Sequence, residues 1–159
     1  MMDTVRRVFV EKKAEYAIEA QQLQEDIKTQ LHIALDSVRI MHRYDVQGVT
    51  DDIWQDAIGS FLSEPMVDQV WMDTSSFKSP WKFAVELLPG QYDQRADSCM
   101  QCFAILAGVK VQVRCAKVYI LQGMIDENEL LKIQHYIINP VDQRIAAWDT
   151  PSTIEDVAL

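Results

Sequence analysis

The chain repeats itself at an offset of 75 residues, and no other feature narrows its fold as far. Val38-Arg39, Tyr44, Gln47-Gly48 and Asp51-Asp52 recur at identical spacing as Val113-Arg114, Tyr119, Gln122-Gly123 and Asp126-Glu127. Val10-Glu11 and Val85-Glu86 stand at the same offset. Each glycine is followed 17 positions later by a proline, Pro65 or Pro140, and then by a Val-Asp-Gln triplet, with one residue lost in the second copy. A fixed period means one structural unit used more than once. We expect duplication and fusion, with a first unit over residues 1–74 and a second over 81–150. Residues 75–80, in the Ser/Thr-rich stretch 73–80, are the expected linker, and 151–159 a tail toward downstream domains.

Both copies predict the same order of elements. Residues 5–11 alternate as a strand, with Val8 and Val10 on one face. Over residues 16–31, Ile18, Leu23, Ile27 and Leu31 form a helical stripe. Val38, Ile40, Tyr44 and Val46 alternate as a second strand, closed by Gly48. Thr50 is placed to cap a second helix whose apolar face is Ile53, Trp54, Ala57, Ile58, Phe61 and Leu62, with Asp51 and Asp52 at its positive end. Pro65 stops that helix, and residues 67–72 read as a short strand. In the second copy residues 82–88 are the strand, and Cys99, Cys102, Phe103 and Leu106 have helical spacing. Val109, Val111, Val113 and Cys115 alternate, Asp126 and Glu129 can form a capping box, and Leu130, Ile133 and Ile137 share a face before Pro140. Residues 144–148 read as a weak last strand.

One such unit cannot bury both helices and both sheet faces, whereas two copies complete one core. The expected fold is therefore α+β, a duplicated β-α-β-α-β unit with sheets packed against helices. The copies differ at one point. Arg39, Arg43 and Asp45 occupy the non-core strand face of the first, and Arg114, Val118 and Ile120 the matching places of the second. Strands apolar on both faces are covered on both faces, so the second copy is expected more centrally, or against a partner.

The formal charge of −9 disfavours contact with phosphate backbones, so no nucleic-acid partner is expected. The start, Met1-Met2-Asp3-Thr4, is polar and leads into a strand pattern, which argues against a secretory leader. No apolar run approaches the roughly 18 residues of a membrane helix, so no membrane partner is expected. The odd cysteines, Cys99, Cys102 and Cys115, suit reduced thiols in a cytoplasmic protein.

Cys99-Met100-Gln101-Cys102 invites a metal or redox reading. Zinc needs four ligands, or three and a water, and neither a second cysteine pair nor metal-ligand spacing of His32, His42 and His135 accompanies it. A redox pair belongs at a helix N-terminus, whereas this one lies in an apolar helical stripe, so core cysteines are expected. His42 occupies the position that Lys117 holds in the other copy. That could mark a shared pocket, but an edge or partly exposed strand position is the favoured reading. No phosphate-cradling glycine loop and no nucleophile elbow is present. We nominate no catalytic, cofactor-binding or metal-ligating residue.

Residues 88–98 stand out, reading Leu-Pro-Gly-Gln-Tyr-Asp-Gln-Arg-Ala-Asp-Ser. Turn chemistry explains Pro89-Gly90, and an acidic helix start explains Asp93. The density of Gln91, Asp93, Gln94, Arg95, Asp97 and Ser98 at a helix start suits docking to another protein surface, or anion capture by free N–H groups. These six residues are the candidate interdomain docking site.

Those eleven residues, with 8–13 (Val-Phe-Val-Glu-Lys-Lys), Val38-Arg39-Ile40, Arg43-Tyr44-Asp45-Val46, Ser63-Glu64-Pro65 and Ile138-Asn139-Pro140-Val141, carry a family likeness. Together they resemble the N-terminal region of large single-chain phosphoribosylformylglycinamidine synthases, and the likeness extends to about Thr150. The family is similar to a glutamine amidotransferase ligase of purine biosynthesis, converting formylglycinamide ribonucleotide, glutamine and ATP to formylglycinamidine ribonucleotide. The resemblance implies a fused pseudo-dimer of small S-subunit-like folds that joins synthetase and glutaminase domains of one parent chain. It places the catalytic Cys and His, and the ATP and magnesium sites, in those other domains, so this segment is implied to be non-catalytic and without a cofactor. Two other classes compete. One is a free-standing duplicated α+β module that binds or senses a small molecule at the seam between copies. The other is a small enzyme using Asp93, Arg95 and Asp97, which isolated turnover would have to support.

Overall fold

The computed structural model describes residues 4–154. The expectations on Met1-Met2-Asp3, and on tail residues 155–159, lie outside the described residues.

Strand β1 (Arg6–Lys12) leads through a 3-10 turn to helix α1 (Ile18–Leu31) and then β2 (Ser37–Gln47), α2 (Asp51–Ser60) and β3 (Asp68–Trp71). The second series is β4 (Trp81–Leu87), α3 (Gln94–Cys102), β5 (Gln112–Gln122), α4 (Glu127–Ile137) and β6 (Gln143–Ile145). The six strands form one sheet in the order β3-β1-β2-β5-β4-β6, and every pairing is antiparallel. The protein is thus α+β, but it has a single continuous sheet where separate sheets were expected. The two long strands join the halves by backbone hydrogen bonds along their whole length, from Ser37 opposite Gln122 to Gln47 opposite Gln112. His42 faces Lys117 at the middle of this ladder.

Local chemistry sets the helix starts. The Thr50 side chain accepts from the Ile53 N–H, and Asp126 and Glu129 form a reciprocal capping box at α4. Gly48 and Gly123 leave β2 and β5 with φ of +110° and +156°. A side chain at Gly48 would also press on the Lys110 carbonyl oxygen, at 3.2 Å.

The helices cover one face of the sheet in two separate cores. In one, Ala96, Cys99 and Phe103 of the third-helix region pack with Trp54 and Ala57 of α2, with Val8 and Val10 of β1, and with Tyr44 and Val46. In the other, Ala20 and Ile27 of α1 pack with Phe83 and Val85 of β4, with Tyr119 and Leu121 of β5, and with Ile133 of α4. Each series therefore lends its first helix to the core built on the other series' first strand. Phe61 meets Phe103 edge-on at 4.8 Å in the first core, and Phe83 stacks on Tyr119 at 5.2 Å in the second.

The opposite face is closed by the chain itself. Phe77, from the stretch expected to be a plain linker, is buried against Phe9 and Trp71 in edge-on contacts of 5.1 and 6.1 Å. Met41, Ala84, Ala116, Val118, Ile120 and Ala146 share this third core. This corrects the expectation raised by Val118 and Ile120: β2 and β5 are equally central, and the linker and final segment supply the cover. Ile154 is also buried, its N–H donating to Gln47 Oε1 at 2.8 Å.

Two helical stripes end differently from expectation. Leu106 is exposed because α3 passes into a π-helical stretch, Phe103–Ala107, which shifts the residues after Phe103 off the core-facing stripe. Ile18 is exposed because α1 begins there, beyond the core it shares through Ala20 and Ile27. No helix among the described residues is long and apolar enough to cross a membrane.

Candidate functional site at the start of the third helix

After β4, Gly90 takes φ +88° and the Gln91 N–H donates to the Leu88 carbonyl at 3.1 Å. Asp93 caps α3, accepting from the Ala96 N–H at 3.1 Å. Asp97, in the first turn, accepts from the Tyr92 hydroxyl at 2.9 Å and the Gln101 amide at 3.0 Å. The polar run is thus partly consumed in building the helix start. The rest does not form one patch, because α3 divides it. Gln91, Asp93 and Asp97 line a cleft of about 270 Å³ together with Met100 and Ile154. Gln94, Arg95 and Ser98 line another of about 520 Å³, against Tyr44, Phe61 and Cys102.

Arg95 also reaches the seam between the two helix-covered cores. Its Nη1 donates to the Tyr44 hydroxyl at 3.0 Å, and both residues border a third cleft of about 380 Å³ containing His42. Two ion pairs flank this seam: Lys117 to Glu19 at 2.6 Å and Lys12 to Asp68 at 3.0 Å. The histidine therefore sits on a central strand, partly exposed as the sequence reading allowed, but within a cleft and not at a sheet edge. Burial, then the charges of Arg95 and Lys117, lower its pKa to about 4, with Glu19 opposing.

A neutral, half-buried His42 makes stability pH-dependent. Its folded pKa lies below the ordinary value of 6.5, so the unfolded chain takes up the proton first. The contribution is complete above pH 6.5 and is lost as pH falls through the window down to about 4. Solvent screening of the partly open site reduces it to about 2 kcal/mol. Urea unfolding of wild type and His42→Gln at pH 7.5 and 4.5 should show the variant losing less stability on acidification. An equal loss in both proteins would contradict the assignment.

The Cys99 thiol of the Cys-x-x-Cys pair is not activated. Burial, then the neighbouring Cys102, push the Cys99 thiol up to about 12. Cys115, in the same core, is also raised by burial first. With iodoacetamide at pH 8, Cys99 should be modified at least about a hundredfold more slowly than half-exposed Cys102, read by peptide mass spectrometry. Equal rates would place Cys99 outside the core.

At neutral pH these clefts thus present a neutral imidazole, a neutral Cys99 thiol, a buried tyrosine hydroxyl and the Arg95 cation. That set suits hydrogen-bonded docking better than nucleophilic or acid–base chemistry. The His42 seam escaped sequence reading because its partners come from β1, α1, β2, α3 and β5; the shared position of His42 and Lys117 was the one available signal. No protein-family model matches this chain, and no curated protein sequence matches it significantly.

Proposed function

We propose that this chain is the N-terminal, non-catalytic scaffold region of a phosphoribosylformylglycinamidine synthase, made of two fused copies of one strand-helix-strand-helix-strand unit. The observation that carries the proposal is the central ladder. A two-fold axis relating copies offset by 75 residues must pair one residue with its own equivalent, and His42 pairs with Lys117. The strand order, with β2-β1-β3 running outward on one side and β5-β4-β6 on the other, has the same symmetry. Both are what fusion of a two-subunit assembly of small S-subunit-like folds would leave behind. The family likeness of residues 8–13, 38–65, 88–98 and 138–141 supplies the rest.

On this proposal the protein works in the cytoplasm. The region joins the synthetase and glutaminase domains of the parent chain, and the start of α3 offers two docking faces, one with Gln91 and the other with Gln94, Arg95 and Ser98. ATP, magnesium and the catalytic Cys and His belong to those other domains, so the 159-residue chain alone should hydrolyse neither glutamine nor ATP. The decisive experiment adds the purified chain to a synthetase–glutaminase polypeptide lacking its own N-terminal region. Co-purification and restored glutamine-dependent product formation are expected; no association would overturn the proposal.

The His42 cleft favours one alternative, a free-standing module that binds a small molecule at the seam. Melting shifts with amino acids or nucleotides that vanish in His42→Gln would support it, and a flat response would dismiss it.

A further inference from the structure

The sheet face opposite the helices carries a row of charges that neither the cores nor the scaffold proposal uses. Across five strands, Arg7 on β1, Asp45 on β2, Arg114 on β5, Glu86 on β4 and Arg144 on β6 alternate in sign. Arg7 donates to both oxygens of Asp45, Nε to Oδ1 at 2.7 Å and Nη2 to Oδ2 at 2.9 Å. Glu86 lies 2.8 Å from Arg144 and 3.7 Å from Arg114. Arg43, two residues before Asp45 on the same strand face, adds a fourth guanidinium. All four arginines line one cleft of about 330 Å³.

The charges in this cleft do not balance. Asp45 and Glu86 neutralise two of the four guanidiniums, in a chain whose formal charge is −9. Asp149 stands at the exposed rim, and its backbone carbonyl, not its carboxylate, accepts from Arg7, at 3.3 Å. Arg43 is only 4% exposed, and its Nη1 donates to a neutral acceptor, the Ala147 carbonyl, at 3.0 Å. No carboxylate of the described residues forms an ion pair with it. A guanidinium cannot shed its proton, so burial without a counter-charge is costly unless an anion joins it. Burial, then the charge of Arg7, press on Arg43 in this direction, with Asp45 and Glu86 opposing.

The first half of the chain holds an internal control. Glu11 and Arg39 precede Glu86 and Arg114 by the same 75 residues. There Arg39 engages both Glu11 oxygens, at 2.9 and 2.7 Å, and the rings of Trp71 and Phe77 close over it at 5.5 and 5.2 Å. At the second place Arg144 draws Glu86 away and Arg114 is left on the cleft wall.

We propose that this cleft binds a phosphate dianion, free or as the monoester group of a small metabolite, through Arg43, Arg114 and Arg144. Apart from the solvent-exposed Asp149, which also lines the cleft, two positive charges are uncompensated and match a dianion, and guanidinium forks match its oxygens. A monocarboxylate would balance one charge. The site is independent of the scaffold proposal and stands or falls on binding alone.

The test titrates the 159-residue chain with sodium phosphate, glycerol phosphate and sodium acetate, each against sodium chloride of equal ionic strength, by calorimetry and thermal melting. Saturable binding and a raised melting temperature are expected with phosphate or glycerol phosphate only. Whichever of the two binds more tightly identifies the free ion or the monoester. Arg114→Gln and Arg144→Gln, both partly exposed, should each weaken binding roughly tenfold or more, and Arg39→Gln should leave it unchanged. Three results would overturn the site: no saturable effect beyond chloride, an equal response to acetate, or phosphate binding untouched in both cleft variants.

Discussion

Produced as separate chains, residues 4–78 and 79–154 should each fail to fold alone and should fold together on mixing. The reason is the exchange of first helices. Ile27 of α1 is fully buried in a core with Phe83, Val85 and Ile133, all from the other segment. Phe103, equally buried, shares its core with Val8, Val10 and Trp54 of the first segment. Each such large side chain loses about 1.5–3 kcal/mol when returned to water. Several losses of that size in each segment exceed the 5–15 kcal/mol by which a whole domain is stable. Separation would also bare the eleven-residue strand β2 or β5 as an unpaired edge. Far-UV circular dichroism of each segment and of the mixture checks this. A cooperative melt from either segment alone would refute it.

Asp45→Ala should cost about 3–5 kcal/mol, far more than removal of a surface carboxylate. Asp45 is 1% exposed, and the Arg7 guanidinium that it binds at two points is nearly as buried. Removing the carboxylate leaves Arg7 with only backbone carbonyl acceptors from Trp148 and Asp149, beside the already under-compensated Arg43. Asp51→Ala is the matched control. Its pair with Arg6 is short, 2.5 Å, but the Asp51 side chain is 82% exposed, so roughly 0–1 kcal/mol is expected. Urea midpoints of the two variants measure the contrast. Similar losses would mean that Asp45 is hydrated in solution.

The strands and helices were legible because their patterns are local. Alternation of Val38, Ile40, Tyr44 and Val46 marks β2, and Thr50 and the Asp126–Glu129 pair mark helix starts by capping chemistry. Leu106 was misread because period alone cannot reveal a π turn. The cover on the open face was missed because Phe77 is a single aromatic in a Ser-rich stretch that reads as a loop, although it is 2% exposed. The residues proposed for docking were recognisable as a polar cluster, but which cleft each lines depends on how α3 lies against β2 and β5. The arginine cleft was the least legible. Arg43 and Asp45 share a strand face visibly, whereas Arg7, Arg114 and Arg144 meet them only through the strand order.

Cooperativity between the two helix-covered cores tests the architecture most directly. Trp54 reports on the core that receives the third helix, and Trp81 packs against the core that receives α1. In each of two variants, one keeping each of these tryptophans and carrying phenylalanine at the other three, urea unfolding followed by fluorescence and by far-UV circular dichroism should give superimposable transitions with equal midpoints and slopes. A fluorescence midpoint that departs from the far-UV midpoint within either variant would show that the two cores unfold independently, and would contradict a fold in which each half completes the other.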